Sequence, residues 1–277
     1  MIRAAVLGSP ISHSLSPLLH STAYQLLGVE GSYEAIEVGS GHLAKFLEDK
    51  DSGWTGFSLT MPLKEEVLAI AHVVDPIVQL ISSANTLFRI DGSWCASSTD
   101  ITGFGFALDS RGFTTGKSAT ILGAGATARA VVGALDGRVE VISILSRNTG
   151  REEAIRRCAT KSSISFLPWE YTTPVAQSDL VVNTTPLYGA DLFADYLPLH
   201  ISTLFFEVLY RPWPTVLLSR WRENGGETMD GIDLLVHQAI EQIALFSGKS
   251  VDRASMALEK LRKNQDCAHL DAHSKRR

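Results

Sequence analysis

One segment constrains this chain more than any other: "KSATILGAGATARAVVGAL", residues 117–135. An apolar run ends at Leu122, a glycine turn follows, and helix-forming residues begin at once. Gly123, Gly125 and Ala128 have the spacing GxGxxA. In a strand–turn–helix unit the first glycine permits the tight turn and the second lets a pyrophosphate approach the backbone. The small third residue lets helix and strand pack closely. Phosphates then meet the helix N-terminus, whose free N–H groups favour anions. Glycines also make ordinary turns, and it is the strand-to-helix context that favours a dinucleotide site. Such a unit commits its surroundings to a parallel sheet covered by helices on both faces.

The rest of the chain is compatible with that commitment. "VEVISILSR", "SDLVVNTTP" and "TLFFEVLY" read as further strands of the same sheet. The first hundred residues alternate strand and helix signals as well. "IRAAVLG", "GSYEAIEV" and "GWTGFSLT" read as strands. "SHSLSPLLHSTAYQLLG" reads as a helix with Ser16 at N-cap, Pro17 at N1 and Gly28 just past its end, and "GHLAKFLED" as a second helix. "NTLFRIDGSWCASSTD" reads as a hairpin turning at Asp91-Gly92. The expected fold is therefore α/β with two domains flanking a cleft. Residues 1–100 form a mostly parallel substrate-binding sheet and residues 101–228 a Rossmann-type domain. Helices in 229–262, including "GIDLLVHQAIEQIALFSG", are expected to return to the first domain. Residues 263–277 form a polar tail expected to fray.

Composition excludes several function classes. At 277 residues with 45% hydrophobic and 20% charged side chains, the chain can bury a real core. The net charge of −5 and the absence of a basic stripe argue against nucleic acid or an anionic membrane as partner. "MIRAAVLGSP" is too short an apolar run for a signal peptide and reads as a first strand. Cys95, Cys158 and Cys267 are odd in number and far apart, which argues for reduced thiols in a cytoplasm and against a zinc site.

The strand after the glycine turn bears on the cofactor. NAD-binding folds usually place an acid there for the ribose 2′-hydroxyl. Here "ILSRNTGREE" offers Ser146, Arg147, Asn148 and Thr149, with Arg151 close behind. A guanidinium matches a phosphate bidentately, which favours NADP. The alternative is a solvated helix start pairing with Glu152 and Glu153.

"GFSLTMPLKEEV", residues 56–67, holds a second signal. It reads as a strand, a turn at Thr60 and a helix opened by Pro62, with Lys64 in the first turn. The helix start disfavours a cation by about 0.3–1 kcal/mol. Lys64 and Asp100 both follow strand ends, where open α/β sheets bind ligands. Singly, each has a plain explanation: Lys64 as a solvated lysine, Asp100 as a helix cap, Ser14 and Ser16 as capping residues.

Together these segments resemble the NADP-dependent shikimate dehydrogenase family, from about residue 5 to residue 260. "SHSLSPLLH" resembles the family's SxSPxxH, "SLTMPLK" its NVTxPxK, "SANTL" its VNTL and "STDITG" its NTDxxG. "GAGATAR" resembles the glycine loop, "SRNT" the NADP-phosphate loop and "NTTP" a cofactor-side strand end. "YRPWPTVLL" and "GIDLLVHQA" resemble two C-terminal signatures. The resemblance implies reversible NADPH-dependent reduction of 3-dehydroshikimate to shikimate, in the shikimate pathway of aromatic amino-acid and chorismate biosynthesis. It implies a catalytic pair, Lys64 and Asp100. Ser14, Ser16, Thr60, Asn85 and Gln238 would bind substrate, and Tyr210 would lie beside substrate and nicotinamide. Gly123, Ala124, Gly125, Ala126, Thr127, Ser146, Arg147 and Arg151 would hold the cofactor, with Val208 and Gly231 at the nicotinamide. The implied partners are small molecules, for a monomer or homodimer with no metal.

Four residues depart from the pattern: Ser21, Ser58 and Ser98 replace asparagines, and Leu234 replaces a methionine. None removes a proposed catalytic group. Two rival readings share the architecture, an NAD-dependent quinate/shikimate dehydrogenase and a non-catalytic shikimate-binding regulator. The missing acid after the second Rossmann strand argues against the first, and retention of Lys64 and Asp100 against the second.

Overall fold

The computed structural model describes residues 1–50, 53–170 and 175–253. The described chain divides into two compact units, Met1–Gly103 joined by residues 235–253, and Phe104–Leu234. The tail at 263–277, Cys267 and the last residues of the expected C-terminal helices lie outside the described residues.

In the first unit the order is β1 (Ile2–Gly8), α1 (Ser16–Leu26), β2 (Gly31–Glu37), α2 (Leu43–Glu48), β3 (Gly56–Leu59) and α3 (Leu63–Glu66). There follow β4 (Val73–Val74), α4 (Pro76–Ile81), β5 (Thr86–Ile90), β6 (Ser93–Ser97) and the start of α5 (Asp100–Ser110). The sheet order is β2-β1-β3-β5-β6-β4. All neighbours run parallel except β5, which is antiparallel to both β3 and β6. The hairpin forms where the sequence placed it, with Asp91 and Gly92 both at positive φ. Side chains of β1, β3, β5 and β6 pack with Leu43, Leu63 and Val78 into a core around Trp54, Phe57 and Trp94. Full burial of side chains of this size contributes roughly 1.5–3 kcal/mol each.

Two sequence-based details need correction. Ser16 is the first residue of α1 rather than its cap; Leu15 holds the N-cap position and no side chain caps the helix. Helix α3 has only four residues. Lys64 does stand in its first turn, but a single turn carries too small a dipole to explain much about the lysine.

In the second unit, β7 (Gly116–Leu122), α6 (Ala126–Leu135), β8 (Val139–Leu145), α7 (Glu152–Arg156) and β9 (Ser163–Leu167) are followed by β10 (Leu180–Asn183), β11 (Leu204–Glu207), α8 (Val216–Glu223) and β12 (Thr228–Met229). The sheet is wholly parallel, in the order β12-β11-β10-β7-β8-β9. Chain direction across the sheet reverses between β7 and β10, and that switch point is where a doubly wound sheet leaves a crevice for ligands. Phe205 and Trp221 stack at 4.7 Å in the core beneath. Helix α9 (Gly231–Ser247) begins in this unit and continues into the first. No helix among the described residues is long and apolar enough to cross a membrane.

Candidate active site

Strand direction decides which residues of the first unit meet. β1 and β3 are parallel neighbours, so the loops after Gly8 and Leu59 leave from one edge of the sheet. The two loops are joined there by Ser9 N–H donating to the Met61 carbonyl at 3.0 Å. Because β5 is antiparallel to β3, its first residues lie at that same edge, and β6 returns to it. Ser14 and Ser16 follow β1, Thr60 and Lys64 follow β3, Asn85 precedes β5, and Thr99 and Asp100 follow β6. Four separate segments thus end at one edge of the sheet, where side-chain contacts join Lys64, Asn85, Thr99 and Asp100.

Lys64 Nζ donates to Asp100 Oδ2 at 2.6 Å, with only 16% and 8% of the two side chains exposed. The Lys64 carbonyl accepts from Ala84 N–H, which ties α3 to the segment before β5. Asn85, 2% exposed, is the hub. The two hydrogens of its Nδ2 are shared among Asp100 Oδ1 at 2.8 Å, Gln238 Oε1 at 2.9 Å and Thr99 Oγ1 at 3.0 Å. Its Oδ1 accepts from Thr99 N–H at 2.9 Å and Thr86 Oγ1 at 2.7 Å. A backbone N–H can only donate, so the Thr99 contact fixes which end of the amide is oxygen. Asp100 is therefore gripped on both oxygens, by an ammonium on one and an amide on the other.

Gln238 reaches this group because α9 lies unusually close to α5. A Cβ on Gly103 would stand 2.8 Å from both the Cβ and the backbone nitrogen of Gln238. Gln242, one turn further along α9, donates to the Asn85 carbonyl and to Thr86 Oγ1, both at 3.0 Å. Its Oε1 accepts from Ser58 Oγ at 2.8 Å, and Ser58 accepts from Tyr33 OH at 2.6 Å. Ser58, a departure from the family pattern, thus bridges β2 and α9. Tyr33 stacks on His20 at 3.8 Å, and burial pushes the His20 imidazole down to about 3. Ser14 Oγ accepts from Ser16 N–H at 3.3 Å. Ser98 Oγ is buried and has no hydrogen-bond partner among the described residues.

The second unit carries the expected cofactor residues at the carboxyl ends of its strands. Gly123 adopts φ +107, and a side chain there would meet Thr184 Oγ1 at 2.7 Å. Thr184 itself donates to the Leu122 carbonyl from both N–H and Oγ1, locking the end of β10 against the glycine turn. Ala126 and Thr127 open α6, whose N-terminus carries no side-chain cap and leaves its first N–H groups for a ligand. Arg151 Nη1 donates to the Ala124 carbonyl at 3.4 Å. Ser146 Oγ accepts from Asn148 N–H and shapes the turn after β8. The Arg147 guanidinium lies 5.6 Å from the Trp169 ring centroid. Val208 and Tyr210 follow β11, and Gly231 N–H donates to the Leu209 carbonyl at 3.4 Å. These features fit a dinucleotide: a bare helix start, a glycine turn with no room for a side chain, and two arginines at the neighbouring strand end.

Sequence reasoning missed Glu207. Wholly buried, it accepts from Asn183 Nδ2 at 2.9 Å, Thr215 Oγ1 at 3.0 Å and Leu209 N–H at 3.2 Å. Burial pushes its carboxyl up to about 7 against the pull of those donors. Gln242 was also missed, although its spacing of four from Gln238 places both on one helical face.

Residues 6–87 match the family model for the shikimate dehydrogenase substrate binding domain. The NADP(+) shikimate dehydrogenase of Oleidesulfovibrio alaskensis is 33% identical over 255 residues, covering 89% of this chain and 90% of that one. The crystal structure of Mycobacterium tuberculosis shikimate dehydrogenase superposes with a TM-score of 0.84 at 33% identity, over 94% of this chain and all of the other. The Thermus thermophilus enzyme, solved with NADP(H) and shikimate, superposes with a TM-score of 0.81 at 31% identity, over 95% and 99% of the two chains. Likeness of this extent in sequence and fold places the chain in the shikimate dehydrogenase family.

Proposed function

We propose that this protein is an NADP-dependent shikimate dehydrogenase that interconverts 3-dehydroshikimate and shikimate. The observation that carries the reading is the Lys64–Asp100 pair, 2.6 Å apart and held by Asn85 at an edge where four segments converge. Family membership supports it, as does the presence of NADP(H) and shikimate in the Thermus thermophilus structure. When bound, NADP(H) supplies or accepts the hydride. Reduction of a ketone builds negative charge on its oxygen, and a nearby cation or proton donor lowers that barrier. Lys64 Nζ takes this role, passing a proton to the developing hydroxyl, while Asp100 orients it and stabilises its charge. In the oxidative direction the same group receives the proton. Ser14, Ser16, Thr60, Asn85 and Gln238 offer hydrogen bonds to a polyhydroxylated carboxylic acid, and Tyr210 with Val208 and Gly231 serves the nicotinamide side. Arg147 and Arg151 meet the 2′-phosphate. Purified protein should oxidise shikimate with NADP, and more slowly with NAD. Equal rates with both cofactors would remove the NADP assignment, and no oxidation of shikimate would remove the reading.

A further inference from the structure

We infer that Tyr188 is a cofactor-gripping residue whose ring packs against a dinucleotide bound across the β7–β10 crevice. The inference rests on the cofactor reading above. Three non-glycine residues among those described have positive φ: Ser82 at 49°, Asp91 at 50° and Tyr188 at 66°. Ser82 ends α4 and Asp91 forms the hairpin turn, places where a small polar residue tolerates the left-handed region. Tyr188 has no such excuse. It is the third residue of a tight turn closed by Gly189 N–H donating to the Pro186 carbonyl at 2.9 Å. A positive φ at that position calls for glycine or asparagine.

The strain is imposed by the segment that leads into the turn. Thr185 donates to Asn183 Oδ1 from N–H at 3.1 Å and Oγ1 at 2.7 Å, and Asn183 Nδ2 is held in turn by Glu207. Immediately before, Thr184 is locked to Leu122 beside the glycine turn. Backbone strain persists where its surroundings over-determine it, and it concentrates at functional sites. Among the described residues little repays the tyrosine here, because the residue is 68% exposed. An exposed aromatic ring held in a disfavoured conformation at the switch point of a doubly wound sheet gains its contacts from the ligand that such a crevice takes.

The test compares Tyr188→Gly and Tyr188→Asn, which suit the left-handed backbone, with Tyr188→Phe, which keeps the ring. NADPH affinity is read from the fluorescence of the bound nucleotide, shikimate affinity by calorimetry, and Tm by thermal unfolding. Both ring-less variants should bind NADPH at least about five-fold more weakly. Their Tm should equal or exceed that of the wild type by up to about 4 °C. Shikimate affinity should stay unchanged, and Tyr188→Phe should resemble the wild type. Unchanged NADPH affinity in the ring-less variants, or a Tm below the wild type in both, would overturn this inference alone. A wild-type chain that binds no dinucleotide would overturn it together with the cofactor reading.

Discussion

Replacing Asn85 with aspartate changes one atom and sets an acid against an acid. Nδ2, now 2.8 Å from Asp100 Oδ1, becomes an oxygen. At an effective dielectric of about 20, two like charges at that distance repel by about 6 kcal/mol. The site can avoid this by keeping one carboxyl protonated, which also restores an O–H donor toward Asp100. Doing so costs about 1.4 kcal/mol for each pH unit above an ordinary carboxyl value near 4. The penalty is then about 6 kcal/mol at pH 8 and about 3 kcal/mol at pH 6. The sign follows from linkage: a carboxyl raised in the folded state contributes stability at low pH and loses it as pH rises. Urea denaturation of wild type and Asn85→Asp at both pH values, compared as differences, isolates this effect from every other titrating group. The variant should be severely destabilised at pH 8 and recover by roughly 2–3 kcal/mol at pH 6. A stability difference that is equal at the two pH values, or absent at pH 8, would show that Asn85 and Asp100 are not in the contact described.

Three further outcomes are expected. Lys64→Met should lower kcat by about two to four orders of magnitude while calorimetry shows shikimate binding nearly intact; near-wild-type turnover would reduce Lys64 to a structural partner of Asp100. Arg147→Ala should raise KM for NADP about ten-fold or more and leave that for NAD almost unchanged, since charge-assisted bonds to a phosphate contribute roughly 1.5–3 kcal/mol. Comparable losses with both cofactors would mean that Arg147 supports the fold. His20, held at about 3 by burial, is neutral when folded and charges near 6.5 when unfolded, so stability should fall below pH 6.5 by up to about 1.4 kcal/mol per pH unit. In His20→Gln that share of the acid slope should vanish, and an unchanged slope would assign it to other groups.

What the sequence made legible follows the reach of its signals. Local patterns were enough for the Rossmann unit, because a strand, a glycine turn and a helix are contiguous, and Gly123 indeed takes the positive φ that such a turn needs. Lys64 and Asp100 were found through motif resemblance, yet the reason they meet is topological. It depends on β5 running against β3, which no local pattern announces. The Ser58–Gln242–Asn85 chain was invisible for a related reason: its members lie up to 184 residues apart and touch only once α9 is packed. Ser16 was misplaced by one position because Ser-Pro is a strong cap signal and nothing in the sequence shows that Leu15 is the residue outside the helix. Glu207 passed unnoticed because a single acid in an apolar strand looks like a strand end until its three donors are seen.

Position 103 shows how narrow a path the lineage of this chain has left itself. The atoms that an added methyl group would strike belong to the Gln238 backbone as well as its side chain, so no rotamer change makes room. Ordinary contact begins near 3.4 Å, and relief from 2.8 Å means moving α9 outward by roughly 0.6 Å. Carried to Gln238 Oε1 along the bond, that shift stretches its 2.9 Å bond from Asn85 to about 3.5 Å, the outer edge of hydrogen-bonding range. The step from glycine to alanine, among the mildest that mutation offers, would therefore strain the bond between Gln238 and a partner 153 positions away in sequence. A side chain at position 103 of α5 thus exerts its cost in the active-site network rather than where it stands.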